Sequence, residues 1–557
     1  MAGRPTKKPS ISREASGGRR GAGRAGAKKA GRGRVGAETG RGGKARKPGH
    51  RASPKGGPKL LTRVLVANRG EIAIRIFRAL NEMGIASVAV YSEADRLSWH
   101  LRYADEAHPI GPPPAAESYL NIPRILKVAR ETGCDAVHPG YGFLAESHDF
   151  ATACEEAGLV FIGPSPSSIR TMGFKTEAKR IMAEAGVPVI PGPPGPVTSA
   201  GDAETVASEI GYPVMVKASA GGGGKGMRIV RVPSEMRQAF KTATGEAKAY
   251  FGNPEIFLEK YIEKPRHIEV QILADTFGDT IFLGERECSV QRRYQKLIEE
   301  TPSPAIDDAA RARIGKTAVR AAEAAGYRNA GTVEFILDQS GNFYFLEVNT
   351  RLQVEHPVTE FVTGIDIVKQ QIKIASGFPL EFSQEDVRPQ GAAIECRIYA
   401  EDPKNNFLPS LGKVTRLKNP EGPWVRVENY VYRGYEVPVY YDPLIAKVIT
   451  WGTDREAAIA RMSRALGEYI IEGIETTIPF HMWVMRDPHF ASGEFDTSYI
   501  DKHYLGNATR AHRRVPPHVA VIAASISALE KRAPEVRPSG SQGSRWKTVS
   551  RKEGTGE

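Results

Sequence analysis

The chain has 557 residues, 41% of them hydrophobic and 25% charged, a composition that describes a globular protein with room for two to four domains. No apolar run approaches the length that spans a bilayer, and Cys134, Cys154, Cys288 and Cys396 are scattered without metal-ligand spacing. This argues against a membrane protein and against structural zinc, and for a reducing, cytoplasmic setting.

The net charge of +13 is unevenly spread. Residues 1–59 carry 18 Lys/Arg against two Glu, and residues 508–557 carry ten against four acids, which leaves the body between them at −9. The first segment has almost no large apolar residue, so it reads as a disordered basic arm, a solvated tail with incidental polyanion binding rather than a dedicated nucleic-acid arm. It shows neither the apolar core of a signal peptide nor the amphipathic stripe of a transit peptide.

Order is expected from Leu60. "RVLVAN" (63–68) reads as a buried strand, "GEIAIRIFRALNEMG" as a helix with Ile72, Ile76, Leu80 and Met83 on one face and Gly84 as its stop, and "ASVAVYS" as the next strand. A helix at 121–132 and strands at "DAVHPG" and "LVFIGP" continue the pattern, so 60–172 reads as a parallel-sheet α/β domain. Its first turn, "ANRGE", lacks the dinucleotide fingerprint, and no nicotinamide cofactor is supported.

In "ASAGGGGKGMRIV" (218–230), Gly221, Gly223 and Gly226 satisfy GxGxxG formally, but a run of this kind satisfies many patterns. Context decides: "YPVMVKAS" before it and "GMRIVRV" after it both read as strands, where a dinucleotide site needs a helix second. The run is thus a hairpin whose backbone N–H groups can lie against phosphates because no Cβ holds the chain away, with Lys217 adding a point charge.

Farther on, "AGTVEFILDQSGNFYFLEVNTRLQVEHP" (330–357) reads as a hairpin around the turn "DQSGN", with Glu334 on one arm and Glu347 on the other. Period-two alternation puts Glu347, Asn349 and Arg351 on one face. Carboxylates on neighbouring strands repel unless a cation lies between them, which suits Mg²⁺ with nucleotide phosphates; a salt-bridged face in which Glu347, Arg351 and Glu355 pair among themselves is the competing reading.

"VANRGEIAIRI", "HPGYGFLAE", "KASAGGGGKGM", "EKYIEKPRHIEVQ", "FLEVNTRLQVEHPVTE" and "ECRIYAEDP" occur in the order and spacing of biotin carboxylase, the ATP-grasp component of biotin-dependent carboxylases, and the chain resembles that family over about 60–505. The resemblance implies an α/β and α+β architecture: a pre-ATP-grasp parallel-sheet domain (60–172), an ATP-grasp domain (173–388) and a C-terminal β-rich domain (389–505), between the basic arm (1–59) and a basic tail (506–557). It implies that Lys175 and Lys217 hold ATP phosphates under the glycines Gly222, Gly223 and Gly224. Glu259, Lys260, Tyr261 and Ile262 would meet adenine, and His267, Gln291 and Tyr294 would make further nucleotide contacts. Glu334, Glu347 and Asn349 match Mg²⁺ ligands, with Mn²⁺ as a substitute. Lys296, Arg351, Gln353 and the backbone of Val354 match the bicarbonate site, Glu355 the base, and Tyr141 and Arg397 positions near biotin.

Two residues depart from the family pattern. Phe174 stands where many relatives have Asp and is expected to repack behind Lys175; Tyr294 stands where many have His and cannot be cationic at pH 7. The chain has no "AMKM"-like lysine turn and no length left for a carboxyltransferase, so biotin is expected on a separate carrier protein, with carboxyltransferase subunits as further partners and a homodimer implied by the resemblance. The expected product serves an acyl-CoA carboxylase (acetyl-CoA or propionyl-CoA) or, alternatively, a two-chain pyruvate carboxylase; a third reading is an inactive homologue with a nucleic-acid-binding arm. Val519, Ile522, Ile526 and Leu529 form a helical stripe that either docks a partner or covers the protein's own surface.

Overall fold

The computed structural model describes residues 57–193, 195–218, 227–251 and 254–505. The basic arm to residue 56, Gly222, Gly223 and Gly224 of the glycine run, and the stripe at 519–529 lie outside the described residues.

The first layer is a five-stranded, wholly parallel sheet in the order Glu106–Gly111, Ala86–Ser92, Arg63–Val66, Ala136–His138, Val160–Phe161. Its inner strands are apolar on both faces, Val64 and Val66 entering one core and Leu65 the other, as parallel sheets covered on both sides require. The helix Gly70–Glu82 buries Ile72, Ile76 and Leu80, and the chain leaves it through Gly84 at φ +69°. The helix Ile122–Glu131 starts where the Asn121 side chain accepts from the Arg124 N–H.

The glycine run joins two paired strands. Val214–Ala218 and Met227–Val230 are antiparallel, with Lys217 opposite Met227, and Ile256–Lys260 pairs on the other side of Val214–Ala218. Helices Ala200–Ile210 and Met236–Phe251 pack on this small sheet around Val214, Val216, Val230, Ile256 and Leu258.

The largest element is an eight-stranded antiparallel sheet in the order Phe343–Asn349, Asn329–Leu337, Arg266–Ala274, Thr280–Arg292, Gln295–Thr301, Ala392–Tyr399, Leu444–Gly452, Val425–Asn429. It carries strands from both sides of residue 388, because Gln295–Thr301 pairs directly with Ala392–Tyr399. The hairpin at 330–357 forms its edge, and Glu334 and Glu347 are cross-strand partners, with a register shift just beyond them. On the other face of Ala392–Tyr399, Ile394, Cys396 and Ile398 enter an apolar core.

Candidate active site

Strand alternation builds the site. In Arg266–Ala274, His267, Glu269 and Gln271 share one face while Ile268, Val270 and Ile272 enter the apolar core. Other strands of the same sheet add Glu334, Lys296, Glu299 and Arg397, with a register shift between Lys296 and Ile298 that breaks the alternation between Lys296 and Glu299. The result is a buried cluster of charge.

Lys296 lies at its centre: its Nζ donates to Glu269 Oε2 at 2.6 Å, Glu334 Oε1 at 2.8 Å and Glu355 Oε1 at 2.8 Å. Arg397 donates from Nη2 to Glu355 Oε2 at 2.9 Å and from Nε to Glu299 Oε1 at 2.6 Å. Arg286 pairs with Glu269 behind them, and His267 Nε2 lies 2.8 Å from Glu334 Oε2. Burial pulls the Lys296 ammonium down, yet three carboxylates outweigh it and hold it well above the ordinary lysine value. Burial pushes Glu334 up, but Lys296 and His267 hold it well below the usual carboxylate range; Lys296 and Arg397 do the same for Glu355. Both carboxylates are therefore ionised.

Beside this cluster Arg351 spreads its guanidinium over three side chains, Glu146 Oε2 at 2.9 Å, Asn349 Oδ1 at 3.0 Å and Gln353 Oε1 at 3.0 Å, and the Leu352 carbonyl at 3.3 Å. Gln353 in turn donates to Glu334 Oε1 at 3.2 Å. Glu347 lies 3.4 Å from Lys175. So Glu347, Arg351 and Glu355 each pair with other groups, and the reading in which they pair among themselves is set aside.

On the nucleotide side of the cavity Lys217 pairs with Glu259, which Lys179 approaches to 3.3 Å. Lys260 turns its Nζ to the carbonyls of Gly211 at 2.9 Å and Tyr212 at 3.0 Å, and Tyr261 and Ile262 follow the strand. Gln291 is the register partner of Lys296, and Tyr294, 64% exposed at φ +68°, forms the turn between their strands. Tyr141 donates to Glu71, and the Val354 carbonyl accepts from Lys447 at 2.7 Å.

One cavity of about 1400 Å³ is lined by Lys175, Lys217, Glu259, Lys260, Tyr261, Ile262, His267, Gln291, Tyr294, Lys296, Glu334, Glu347, Asn349, Arg351, Gln353, Val354, Arg397 and Tyr141. Glu355 stands apart: it is 0% exposed, behind Lys296 and Arg397. Phe174 is 58% exposed at the start of the helix Lys175–Glu184 and does not repack inward; it leaves that helix without a side-chain cap. Sequence reasoning missed Glu146, Lys179, Glu269, Arg286 and Glu299. For Glu269 the signal was the polar alternation in "RHIEVQ", which reads equally as a solvated strand face.

The donors also suit a hard cation. Glu334 and Glu347 project from opposed positions of one hairpin, and Asn349 adds an amide oxygen, which here accepts from Arg351 Nη2 at 3.0 Å. All three ligand atoms are oxygens, the set Mg²⁺ prefers.

Family models match three consecutive stretches: biotin carboxylase N-terminal domain at 60–169, carbamoyl-phosphate synthase L chain ATP-binding domain at 175–383, and biotin carboxylase C-terminal domain at 395–502. Biotin carboxylase 1 of Bacillus subtilis (strain 168) is 55% identical over 443 residues, 79% of this chain and 98% of the relative. The chain belongs to the biotin carboxylase family. Its relatives in that family include a pyruvate carboxylase subunit of Methanothermobacter thermautotrophicus, 54% identical over 80% of this chain and 91% of the relative. Among solved structures, the biotin carboxylase domain dimer of Hydrogenobacter thermophilus 2-oxoglutarate carboxylase, in complex with MgADP, ADP and bicarbonate, superimposes with a TM-score of 0.76 at 50% identity, covering 81% of this chain and 99% of that one. Among the described residues of this biotin carboxylase family member, no helix is long and apolar enough to cross a membrane.

Proposed function

We propose that the protein is an ATP-dependent biotin carboxylase, a ligase that joins bicarbonate to a ring nitrogen of biotin carried on a separate carrier protein. The observation that carries this reading is the convergence of Lys296, Arg351, Arg397 and Glu355 at one end of the cavity lined by Lys175, Lys217 and Glu259. Bicarbonate is a poor nucleophile and a poor electrophile, so the chemistry needs activation by ATP as carboxyphosphate. Several anions must then be held together at one place.

Lys175 and Lys217 take the role of phosphate cations, exchanging their present carboxylate partners Glu347 and Glu259 for phosphate oxygens. Glu334, Glu347 and Asn349 would hold Mg²⁺, which when bound supplies further neutralisation of phosphate charge. Lys296, Arg351, Gln353 and Val354 bind bicarbonate and orient its hydroxyl oxygen towards the γ-phosphate. Glu355 accepts the bicarbonate proton as that oxygen bonds to the γ-phosphorus and the bond to ADP breaks, ADP being the leaving group. With Lys296 and Arg397 both on it, Glu355 is a weak base; when an incoming anion draws either cation away, its basicity rises at the moment a proton must be taken. Carboxyphosphate then yields CO₂ and phosphate, phosphate takes the biotin N1′ proton, Arg397 stabilises the resulting charge on the ureido oxygen, and N1′ adds to the CO₂ carbon to give carboxybiotin.

The relatives serve carboxylases with different acceptors. An acyl-CoA carboxylase is the assembly proposed here, with a carrier protein and carboxyltransferase subunits as partners, the chain itself paired as a homodimer and located in the cytoplasm. The test is transfer of labelled bicarbonate to free biotin or to added carrier protein in the presence of ATP and Mg²⁺. Arg351→Ala should abolish transfer with the affinity for an ATP analogue within about threefold of wild type. No label on biotin or carrier overturns the reading.

A further inference from the structure

On the strand Leu444–Gly452, Lys447 stands opposite both Arg397 and Glu428 in the register, and it is 0% exposed. Its ammonium makes three contacts of different kinds. It donates to the Val354 carbonyl at 2.7 Å, lies 2.9 Å from Glu428 Oε2, and lies 3.5 Å from Glu71 Oε1. Glu71, at the start of the helix Gly70–Glu82, in turn accepts from the Tyr141 hydroxyl, and the Lys447 ammonium sits 6.0 Å from the centre of the Tyr141 ring.

A lysine that served only to neutralise buried carboxylates would need no carbonyl partner. The Val354 carbonyl belongs to the planar peptide between Val354 and Glu355, so a hydrogen bond to it sets the orientation of that whole unit, flanked by the Gln353 and Glu355 side chains. The same ammonium lies 3.5 Å from Glu71, which accepts from Tyr141, and Glu71, Tyr141 and Val354 all line the cavity. Residues 68–71, 351–355 and 444–447 are far apart in sequence, and this one cation ties them together. Burying an ammonium is costly unless it is paired and hydrogen-bonded, and here Glu428 supplies the charge and the Val354 carbonyl the hydrogen bond. Burial pulls Lys447 down, but Glu428, itself held well below the usual carboxylate range, outweighs it and keeps it charged, whereas burial pushes Glu71 up to about 8 and Glu395 well above the ordinary value.

We propose that Lys447 is a positioning residue for carboxylation, holding the bicarbonate-binding backbone at Val354 and, through Glu71, the biotin-side Tyr141 in register with each other. The proposal rests on the roles given above to residues 351–355 and Tyr141. It makes Lys447 and Glu71 act on bicarbonate and biotin but not on the nucleotide, whose groups lie on other strands.

The experiment uses the full chain with Lys447→Met and Glu71→Leu, measuring label transfer from bicarbonate to free biotin and, separately, the Kd for a non-hydrolysable ATP analogue. Lys447→Met should raise the bicarbonate KM and lower kcat by roughly tenfold each, the scale of one lost charge-assisted hydrogen bond, with the analogue Kd within about threefold. Glu71→Leu, close in volume but unable to accept from Tyr141, should raise the biotin KM by roughly tenfold and leave the bicarbonate KM within about twofold. Should Lys447→Met fail to fold, Glu71→Leu decides by itself. Variants with wild-type constants, or with bicarbonate and nucleotide affinity lost in equal proportion, overturn the proposal alone. A wild-type protein that transfers no label overturns the functional reading and this proposal with it.

Discussion

Lys296→Met is the sharpest perturbation of the charge cluster. The ammonium makes three hydrogen bonds of 2.6, 2.8 and 2.8 Å to Glu269, Glu334 and Glu355. Taken singly, such bonds contribute about 1.5–3 kcal/mol each. Simple addition overstates the loss, because every carboxylate keeps a cationic neighbour: Arg286 for Glu269, His267 for Glu334 and Arg397 for Glu355. No carboxylate is left alone. The cost should therefore approach that of breaking one buried pair, about 3–5 kcal/mol, and the fold should survive with a lowered Tm. Activity should suffer more, since the charge is aimed at the reacting anions: biotin-dependent ADP release should fall by roughly 10² to 10³. Scanning calorimetry gives the first quantity and a coupled ADP assay the second, with ATP-analogue affinity expected within about threefold of wild type. Turnover within about twofold of wild type in a folded variant would refute the assignment of Lys296 to the reaction centre.

Glu347→Gln should cut bicarbonate-dependent ATP cleavage by roughly 10² to 10³ and weaken its Mg²⁺ dependence, read from a metal titration; unchanged dependence removes Glu347 from the ligand set. Deleting residues 1–59 should leave the constants for ATP and free biotin within about twofold while abolishing salt-sensitive retention on a polyanion column, because a segment without apolar surface contributes little to the folded site. His356, buried with Nδ1 2.8 Å from the Gln353 carbonyl and Nε2 unpartnered, is pushed down by burial to about 3. Its folded value lies below the unfolded one, so its contribution is full above the unfolded pKa and is lost as pH falls through it. Against His356→Gln, the wild type should thus lose about 2 kcal/mol of relative stability between pH 7 and pH 5, by denaturant titration at each pH, and a constant difference would contradict the neutral, buried state.

Local elements were legible in the residues themselves. The stripe Ile72, Ile76, Leu80 marks the helix Gly70–Glu82, and the apolar runs on either side of the glycines mark two strands that pair with Lys217 opposite Met227. The hairpin with Glu334 opposite Glu347 was readable from alternation and the turn "DQSGN". These features depend on neighbours a few residues away, where backbone period and turn chemistry decide the outcome. Every described site residue named from the family motifs, Glu355 excepted, also lines the one cavity.

What alternation leaves open is which face of a strand meets the core and which strand lies beside it. Polar residues at every second place usually face water, yet Glu269, Gln271 and Glu299 are wholly buried, and only the order of the large sheet sets Glu269, Lys296, Glu334 and Arg397 side by side. The burial of Glu355 behind two cations and the linkage of Val354 to Tyr141 through Lys447 and Glu71 depend on residues 93 and 70 positions apart. Such contacts form only when the three segments close on one another, and the favourable term is mutual charge neutralisation in a desolvated interior, which no single segment supplies.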